Sequence, residues 1–466
     1  MNKSIYSYIS ADCGAGKTNA LIKQIKRTDD RYIVVQGTTK LVEQTTGNIG
    51  NIARMITSNN CSGSSVESDV HQFLLNPTHR ALVITDKAFL QISDLSLLRN
   101  WKIYLDDVVE FYTYRTINTE LKYQIEKNLF KDFESVTDKY VTAKQVTEYT
   151  DDLLRELHNN SFSFIRTYDN FIMNSNFFTK LGKVGELNAD VYSNENNQLS
   201  ICAWVDLSKY EDLDVTFMAN KFEESLIYKG NSELFDEITM SELRTRVKPV
   251  EERLKVYYFS KKNKFTKTYR NENPEQIAKV IDYINSNVTD FYYTVSGDMS
   301  RNLKGTYITP VSRGLNTYQD YTTCVWLASM KPSPVEIAQI NIMFGLTSTE
   351  IVQAREYENL YQFVNRSNIR DYASEQDVVV YVFDEEQARS LSSNPIFIDL
   401  RIDEEVKKSN FIPARLSDAD YKRMGKITMK RFPDKEKFDT WMNSQVNSHM
   451  NELQREKFYK KFDRRK

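Results

Sequence analysis

The stretch from Ile5 to Ile25 constrains this chain most. Ile5-Tyr6-Ser7-Tyr8-Ile9 reads as a buried strand, and Ser10-Ala11-Asp12-Cys13-Gly14-Ala15-Gly16-Lys17-Thr18 follows it. Ala20, Leu21, Ile22 and Ile25 then recur at helical spacing. Strand, glycine-containing loop and helix form the context of a phosphate-binding loop. Of the full pattern Gly-x-x-x-x-Gly-Lys-Ser/Thr, Ala11 stands at the first Gly and the remainder is intact. Backbone N–H groups near Gly14, Gly16 and Lys17 can wrap a phosphate at a helix N-terminus. Lys17 would then sit on the β- and γ-phosphates of ATP, and Thr18 would ligate Mg²⁺. Cys13, Gly14, Ala15, Gly16, Lys17, Thr18 and Asn19 are the candidate ATP-binding run. The bland alternative is a helix cap with a chance Gly-Lys-Thr.

A hydrolase of this kind needs an acidic residue at a strand end. Trp101-Lys102-Ile103-Tyr104-Leu105-Asp106-Asp107 supplies one. Paired carboxylates ending an apolar strand are costly unless they meet a cation or water. Asp106 is the candidate second metal ligand beside Thr18, and Asp107 the group that orients or deprotonates an attacking water. Glu110 is close enough to compete for that second task. An Asp-rich turn is the ordinary alternative.

With these two motifs in order, the chain resembles a superfamily-two helicase, of the divergent type encoded by large DNA phages and viruses. The resemblance implies two RecA-like parallel-sheet domains in tandem, ATP hydrolysis with Mg²⁺, and a nucleic-acid track. The family's second carboxylate is usually Glu, so Asp107 departs from it. Tyr32-Ile33-Val34-Val35 followed by Gln36-Gly37-Thr38-Thr39-Lys40 resembles a family motif that touches the nucleic-acid backbone. Ala81-Leu82-Val83-Ile84-Thr85 resembles a later one with a strand-end Thr. Hydroxyls and Lys at parallel-strand ends suit phosphate oxygens without reading bases. Val215-Thr216-Phe217-Met218-Ala219 through Ser225 stands where the family's Ser-Ala-Thr motif falls.

The second half carries two further matches. Thr309-Pro310-Val311-Ser312-Arg313-Gly314-Leu315-Asn316 resembles the motif that usually ends Arg-Gly, an apolar residue and Asp; Asn316 replaces that Asp. Gly314 joins the ATP-binding candidates, and Ser312 and Arg313 join Thr38, Thr39, Lys40 and Thr85 as candidate nucleic-acid contacts. Gln362-Phe363-Val364-Asn365-Arg366-Ser367-Asn368-Ile369-Arg370 resembles Gln-x-x-Gly-Arg-x-x-Arg, with Asn365 for Gly and Arg370 one residue late. On a helix, Gln362, Arg366 and Arg370 would share one face. The resemblance makes them catalytic candidates with Lys17, Asp106 and Asp107, presenting two guanidiniums to ATP across a domain cleft. Solvated arginines on an exposed helix are the alternative.

Along the chain, residues 1–115 and 200–235 read as the first RecA-like domain. Residues 116–199 read as an inserted helical accessory subdomain, from Leu121, Ile125 and Leu129, then Val146, Tyr149, Leu153 and Leu157. It would serve as a DNA-contacting wedge or as a structural bracket. Residues 236–253, with Arg244, Arg246 and Lys248, read as a charged linker, helical as far as Pro249. Residues 254–390 read as the second RecA-like domain. Its segment Ser260–Lys267 mixes basic and aromatic residues, which suits phosphate contact with stacking or an edge hairpin guarded by lysines. Residues 391–466 read as a C-terminal helical extension that begins a helix at Pro433-Asp434. This extension, with its basic tail, is a candidate surface for a replisome partner.

Charge and composition narrow the functional classes. The 62 basic and 64 acidic residues give a net charge of −2, which excludes a uniformly basic coat protein and confines any nucleic-acid track to a local groove. The four cysteines contain no Cys-x-x-Cys, and the four histidines are scattered, so neither a zinc module nor a His-centred site is supported. No apolar run reaches about 18 residues, so no membrane partner is expected. The expected location is the cytoplasm, the host's if the chain is phage-encoded. The reading is an ATP-dependent nucleic-acid translocase, a DNA helicase before an RNA one, serving replication or recombination. Two rivals remain open: an origin-binding or replisome-scaffold protein on a helicase-like body, and a P-loop phosphotransferase acting on a small molecule.

Overall fold

The structure is a computed structural model that describes residues 5–61, 65–107, 111–119, 122–145, 162–177, 197–311, 317–404, 423–428, 431–444, 450 and 452–463. Five strands open the chain: β1 (Tyr6–Ser10), β2 (Tyr32–Gln36), β3 (Ala53–Ile56), β4 (Ala81–Thr85) and β5 (Lys102–Asp106). Five more follow as β6 (Tyr112–Asn118), β7 (Phe130–Ser135), β8 (Tyr140–Gln145), β9 (Asn170–Asn174) and β10 (Gln198–Trp204). Then β11 (Asp214–Ala219) and β12 (Phe235–Glu237) return to the first sheet, whose order is β12-β1-β11-β5-β2-β4-β3 with every neighbouring pair parallel. Both faces are covered, as parallel sheets require. Ile33, Val35, Leu82, Ile84, Ile103 and Leu105 bury on one side. Tyr32, Val34, Val83, Tyr104 and Met218 meet Leu21, Ile22 and Ile25 of helix α1 (Lys17–Arg27) on the other.

The second parallel sheet is built from β13 (Leu254–Ser260), β14 (Tyr292–Val295), β15 (Thr306–Tyr307), β16 (Thr323–Leu327), β17 (Val378–Asp384) and β18 (Ile396–Phe397). Its order is β15-β14-β16-β17-β13-β18. Val256, Tyr258, Trp326, Val378, Val380 and Val382 form its core with Leu360, Phe363 and Val364 of the helix Glu358–Val364. The chain therefore has two parallel α/β domains in tandem, the RecA-like arrangement.

The insertion differs from its expected helical form. Its described residues make a five-stranded antiparallel sheet, β6-β10-β9-β8-β7, with one α-helix, Lys122–Leu129. The helical spacing of Ile125 and Leu129 is real, but β6 carries Tyr112, Thr113, Tyr114, Thr116 and Ile117, aromatic and β-branched residues that favour the pleat. Ile201, Ala203, Phe171 and Met173 continue the core of the first domain. Ile172 and Cys202, on the opposite face by strand alternation, pack with Ile340, Leu346 and Ile351 of the second half. The expected helix around Val146–Leu157 lies outside the described residues.

The linker also departs from helix. Only Val250–Arg253 is helical. Before it the backbone bonds to distant partners: Ile238 N–H to the Tyr8 carbonyl at 2.8 Å, Arg244 N–H to Ala15 at 2.8 Å, and Val247 N–H to Tyr372 at 3.0 Å. A helix would have tied those groups to its own turns.

Residues 267–278 and 401–466 form a separate compact unit. Ile427, Phe432, Phe438, Met442, Met450, Phe458 and Phe462 make its core. Asp434 caps the helix Lys435–Met442 through a 2.8 Å bond from Lys437 N–H, as the Pro-Asp signal implied. No helix among the described residues is long and apolar enough to cross a membrane.

Candidate active site

Four adjacent strands of the first sheet, β1, β11, β5 and β2, end together at their C-terminal edge. That edge is where parallel α/β sheets bind ligands. The glycine loop follows β1, Asn220 follows β11, Asp106 ends β5 with Asp107 next after it, and Gln36 ends β2. These residues line a cleft of about 380 Å³.

The loop is shaped by Gly14 and Gly16, at φ +84° and +93°. Gly16 is the N-cap of α1 and makes no side-chain cap; the first turn carries no acidic residue. The N-terminal N–H groups of α1 thus face the cleft with no side-chain oxygen capping them, an arrangement that favours an anion. Lys17 lines the cleft and donates to the carbonyls of Ala11 and, at 3.3 Å, Asp12. Ala15 is buried, and its carbonyl is held by the linker. The Cys13 thiol is buried, packs with the second domain's core, and is pushed up to about 12 by that burial.

Asp106 Oδ2 accepts from Thr18 Oγ1 at 2.7 Å and Gln36 Nε2 at 2.8 Å. Burial pushes this carboxyl above the usual carboxylate range. Gln36 Oε1 beside it is buried with no hydrogen-bond partner. A hydroxyl, a buried carboxylate and an orphaned acceptor form an oxygen set that fits Mg²⁺ with its retained waters. Successive residues of a strand face opposite ways. Asp107 escapes that alternation through a left-handed φ of +75°, with its N–H on Met218 O at 2.8 Å, and both carboxylates line the cleft. Glu110 lies outside the described residues.

The second domain supplies the opposite wall with Gln362, Arg366, Arg370, Gln319 and Asp371. The expected single helical face is not how the first three meet. The helix ends at Val364, and Arg370 closes a short 3-10 turn, Asn368–Arg370. Asn365 Nδ2 takes the Tyr361 carbonyl at 2.9 Å, and Ser367 Oγ takes that of Val364 at 2.7 Å, which finishes the helix. Arg253, fully buried, then binds the carbonyls of Asn368 (2.9 Å), Asp371 (3.0 Å) and Gln376 (2.9 Å) and fixes the following turn. Burial pushes both Arg366 and Arg370 below the usual guanidinium range.

Several contributors were not singled out from sequence. Arg246 reaches the Cys13 carbonyl at 3.1 Å and the Asp12 carboxylate at 3.4 Å, also binds Ile369 O, and lies 3.9 Å over the Tyr372 ring. It therefore touches the glycine loop and the arginine turn together. Glu358 accepts from Asn220 Nδ2 at 3.2 Å and Gln362 Nε2 at 2.8 Å. Arg246 acts through partners more than a hundred positions away, and Glu358 joins its own-helix neighbour Gln362 to the distant Asn220, so no local pattern marks their place in the site; only the excess of linker arginines was visible.

Of the expected nucleic-acid contacts, Thr38 and Thr85 use their oxygens as helix caps, each accepting at 3.3 Å from Leu41 N–H and Ala88 N–H. Thr39 opens the helix Thr39–Ile49, and Lys40 beside it is exposed. None of these four lines the nucleotide-sized cleft. Ser312, Arg313 and Gly314 lie outside the described residues. In the basic-aromatic segment, Phe265 is buried against Phe383 and Lys264 pairs with Glu386 at 2.7 Å, so this Phe packs in the core and offers no stacking platform. A larger groove of about 740 Å³ runs between the insertion and the second domain and holds none of the glycine-loop residues.

No family model matches the chain, and no curated protein matches it. Among solved structures it is similar to XPD in apo form, with 10% identity over 85% of this chain and 97% of that one, at a TM-score of 0.47. It is similar to an XPD helicase with 11% identity over 85% and 96% of the two chains, at 0.43. A hypothetical ATP-dependent RNA helicase from Sulfolobus tokodaii gives 11% identity over 81% and 87%, at 0.25. At these scores the likeness carries no argument about function, which rests on the site.

Proposed function

We propose that the chain is an ATP- and Mg²⁺-dependent nucleic-acid translocase, a DNA helicase that unwinds duplex or remodels branched DNA. One observation carries the reading: Lys17, Thr18, Asp106 and Asp107 of one parallel-sheet domain and Gln362, Arg366 and Arg370 of the other line one cleft. A site divided between two domains can convert the state of its nucleotide into the distance between them.

In this reading the N–H groups of Gly14, Gly16, Lys17 and Thr18 hold the phosphates. Lys17 leaves the loop carbonyls for the β- and γ-oxygens. Thr18 and Asp106 hold Mg²⁺, which supplies charge that neutralises the phosphates. Asp107 orients the water, whose oxygen bonds to the γ-phosphorus as the bond to the β–γ bridging oxygen breaks, and takes its proton. Arg366 and Arg370 stabilise the charge on the transferring phosphoryl group. With product, the arginines lose their anion and the domains loosen. Thr38, Thr39, Lys40, Thr85, Ser312 and Arg313 are proposed to grip phosphates of the strand, and that grip weakens with salt.

The test is ATP hydrolysis by wild type and Lys17→Ala, alone and with single-stranded DNA, duplex DNA or RNA. Stimulation by one polymer, lost in the variant, is the expected result, and it names the track. Hydrolysis indifferent to every polymer would indicate a small-molecule phosphotransferase instead. Tight duplex binding without hydrolysis would indicate an origin-binding protein.

A further inference from the structure

Three arginines sit in or just after the linker, and two are committed to protein partners. Arg253 is fully buried on the carbonyls of the arginine turn, and Arg246 joins that turn to the glycine loop. Arg244 is different. Its backbone is pinned, with its N–H on the Ala15 carbonyl at 2.8 Å. Two residues earlier, Glu242 pairs with Lys23 at 2.5 Å and Arg27 at 2.6 Å, so the linker lies against α1. Yet the Arg244 side chain is exposed, and no hydrogen bond or ion pair of its guanidinium is found among the described residues.

Its position is specific. Arg244 lines the same cleft as Lys17, Arg366 and Arg370. Its Cγ and Nε lie 3.9 and 4.0 Å from where a Cβ on Gly16 would stand. Gly16 is the residue whose carbonyl and left-handed turn open α1, so the guanidinium borders the N–H groups that face the cleft. Its charge also acts on Arg370, helping hold that guanidinium below its usual range after the larger effect of burial. Like charges gathered at one cleft, one of them with no hydrogen-bonded or ion-paired anion among the described residues, are stabilised by an anion entering it.

We infer that Arg244 is a nucleotide-contacting residue whose guanidinium takes the polyphosphate from the linker side. This rests on the reading of the cleft as the ATP site. A planar fork is suited to two phosphate oxygens at once. The segment joining the two domains then touches the nucleotide itself, so its occupancy bears on the linker directly as well as through the arginines of the second domain.

The experiment measures calorimetric binding of ADP and of inorganic tripolyphosphate to the full chain, with Arg244→Ala, Arg244→Lys and Lys17→Ala. Arg244→Ala is expected to weaken both ligands by about 10- to 100-fold, the equivalent of one charge-assisted hydrogen-bonded contact. Arg244→Lys should recover part of the loss through its retained charge. Because the side chain is exposed, thermal unfolding should be unchanged, separating lost contact from lost fold. An unchanged tripolyphosphate affinity in Arg244→Ala overturns the inference, including the case where ADP alone weakens and the guanidinium serves the base or ribose. If Lys17→Ala also leaves both affinities unchanged, the phosphate-loop reading fails with it. If Lys17→Ala abolishes binding while Arg244→Ala does not weaken it, only the role of Arg244 fails.

Discussion

Glu358 offers the clearest link between a single group and pH. Its carboxyl sits between the two domains, facing Asn220 and Gln362 with Asp107 and Lys221 as charged neighbours, and its pKa is raised from 4.5 to about 7. Burial is the largest cause; the Asp107 charge also raises it, while Gln362, Asn220 and Lys221 pull it down. The folded chain thus binds this proton more tightly than the unfolded chain. The group's contribution is fully present below pH 4.5, where both states are protonated, and is lost as pH rises through about 7. A shift from 4.5 to about 7 corresponds to about 3 kcal/mol. Asn220 Oδ1 is buried without a partner, so a neutral side chain at 358 has an acceptor within the same cluster. Glu358→Gln is therefore expected to gain on wild type by about 3 kcal/mol between pH 4.5 and 8, in denaturant unfolding followed by tryptophan fluorescence. A wild-type-minus-Gln difference that stays flat across that range would refute the reasoning, because it would mean the carboxylate is solvated or paired where it sits.

Two further perturbations probe the junction of loop and arginine turn. Gly14→Ala places a Cβ 3.1 Å from Arg370 Cγ and 3.2 Å from the Tyr372 ring, at a φ of +84°. The left-handed backbone alone costs about 1–2 kcal/mol, and Arg370 must also move; nucleotide affinity and turnover should both fall, and unaltered kinetics would contradict the close approach. Arg246→Ala removes the ring contact with Tyr372 at 3.9 Å and leaves the Cys13 carbonyl without that donor. A loss of about 2–4 kcal/mol is expected by thermal unfolding, with Arg246→Lys failing to restore it because an ammonium lacks the planar fork. Full rescue by Lys would show that charge alone matters there.

What could be read in advance was what is local. The glycine loop and the Asp pair are contiguous runs whose chemistry sits within ten residues, and Cys13, Gly14, Gly16, Lys17, Thr18, Asn19, Asp106 and Asp107 line one cleft, while Ala15 does not. Gln362, Arg366 and Arg370 were found through resemblance to a family motif, yet the single helical face inferred for them is not what the structure has. Their grouping depends on Arg253 and Ser367 bending the chain after Val364. The insertion misled for a related reason. The amphipathic run at Ile125–Leu129 is true helix, but β6 and β10 pair across a separation that no window spans, as with Tyr114 opposite Cys202. In the linker, a charged run without glycine or proline before Pro249 looks helical. Its actual shape follows from carbonyls at Tyr8, Ala15 and Tyr372 that only the folded chain brings near.

The placement of β11 gives the proposed coupling a physical route. This strand lies between β1, which ends at the glycine loop, and β5, which ends at Asp106. Its own end meets the second domain three times within five residues: Asn220 on Glu358, Lys221 Nζ over the Tyr361 ring at 4.5 Å, and Glu224 on Gln353 at 2.8 Å. Glu358, Tyr361 and Gln362 belong to the helix that runs into Arg366. In the proposed coupling, the connection just after β11 would link the strand to the base of the arginine turn through these packed and hydrogen-bonded side chains.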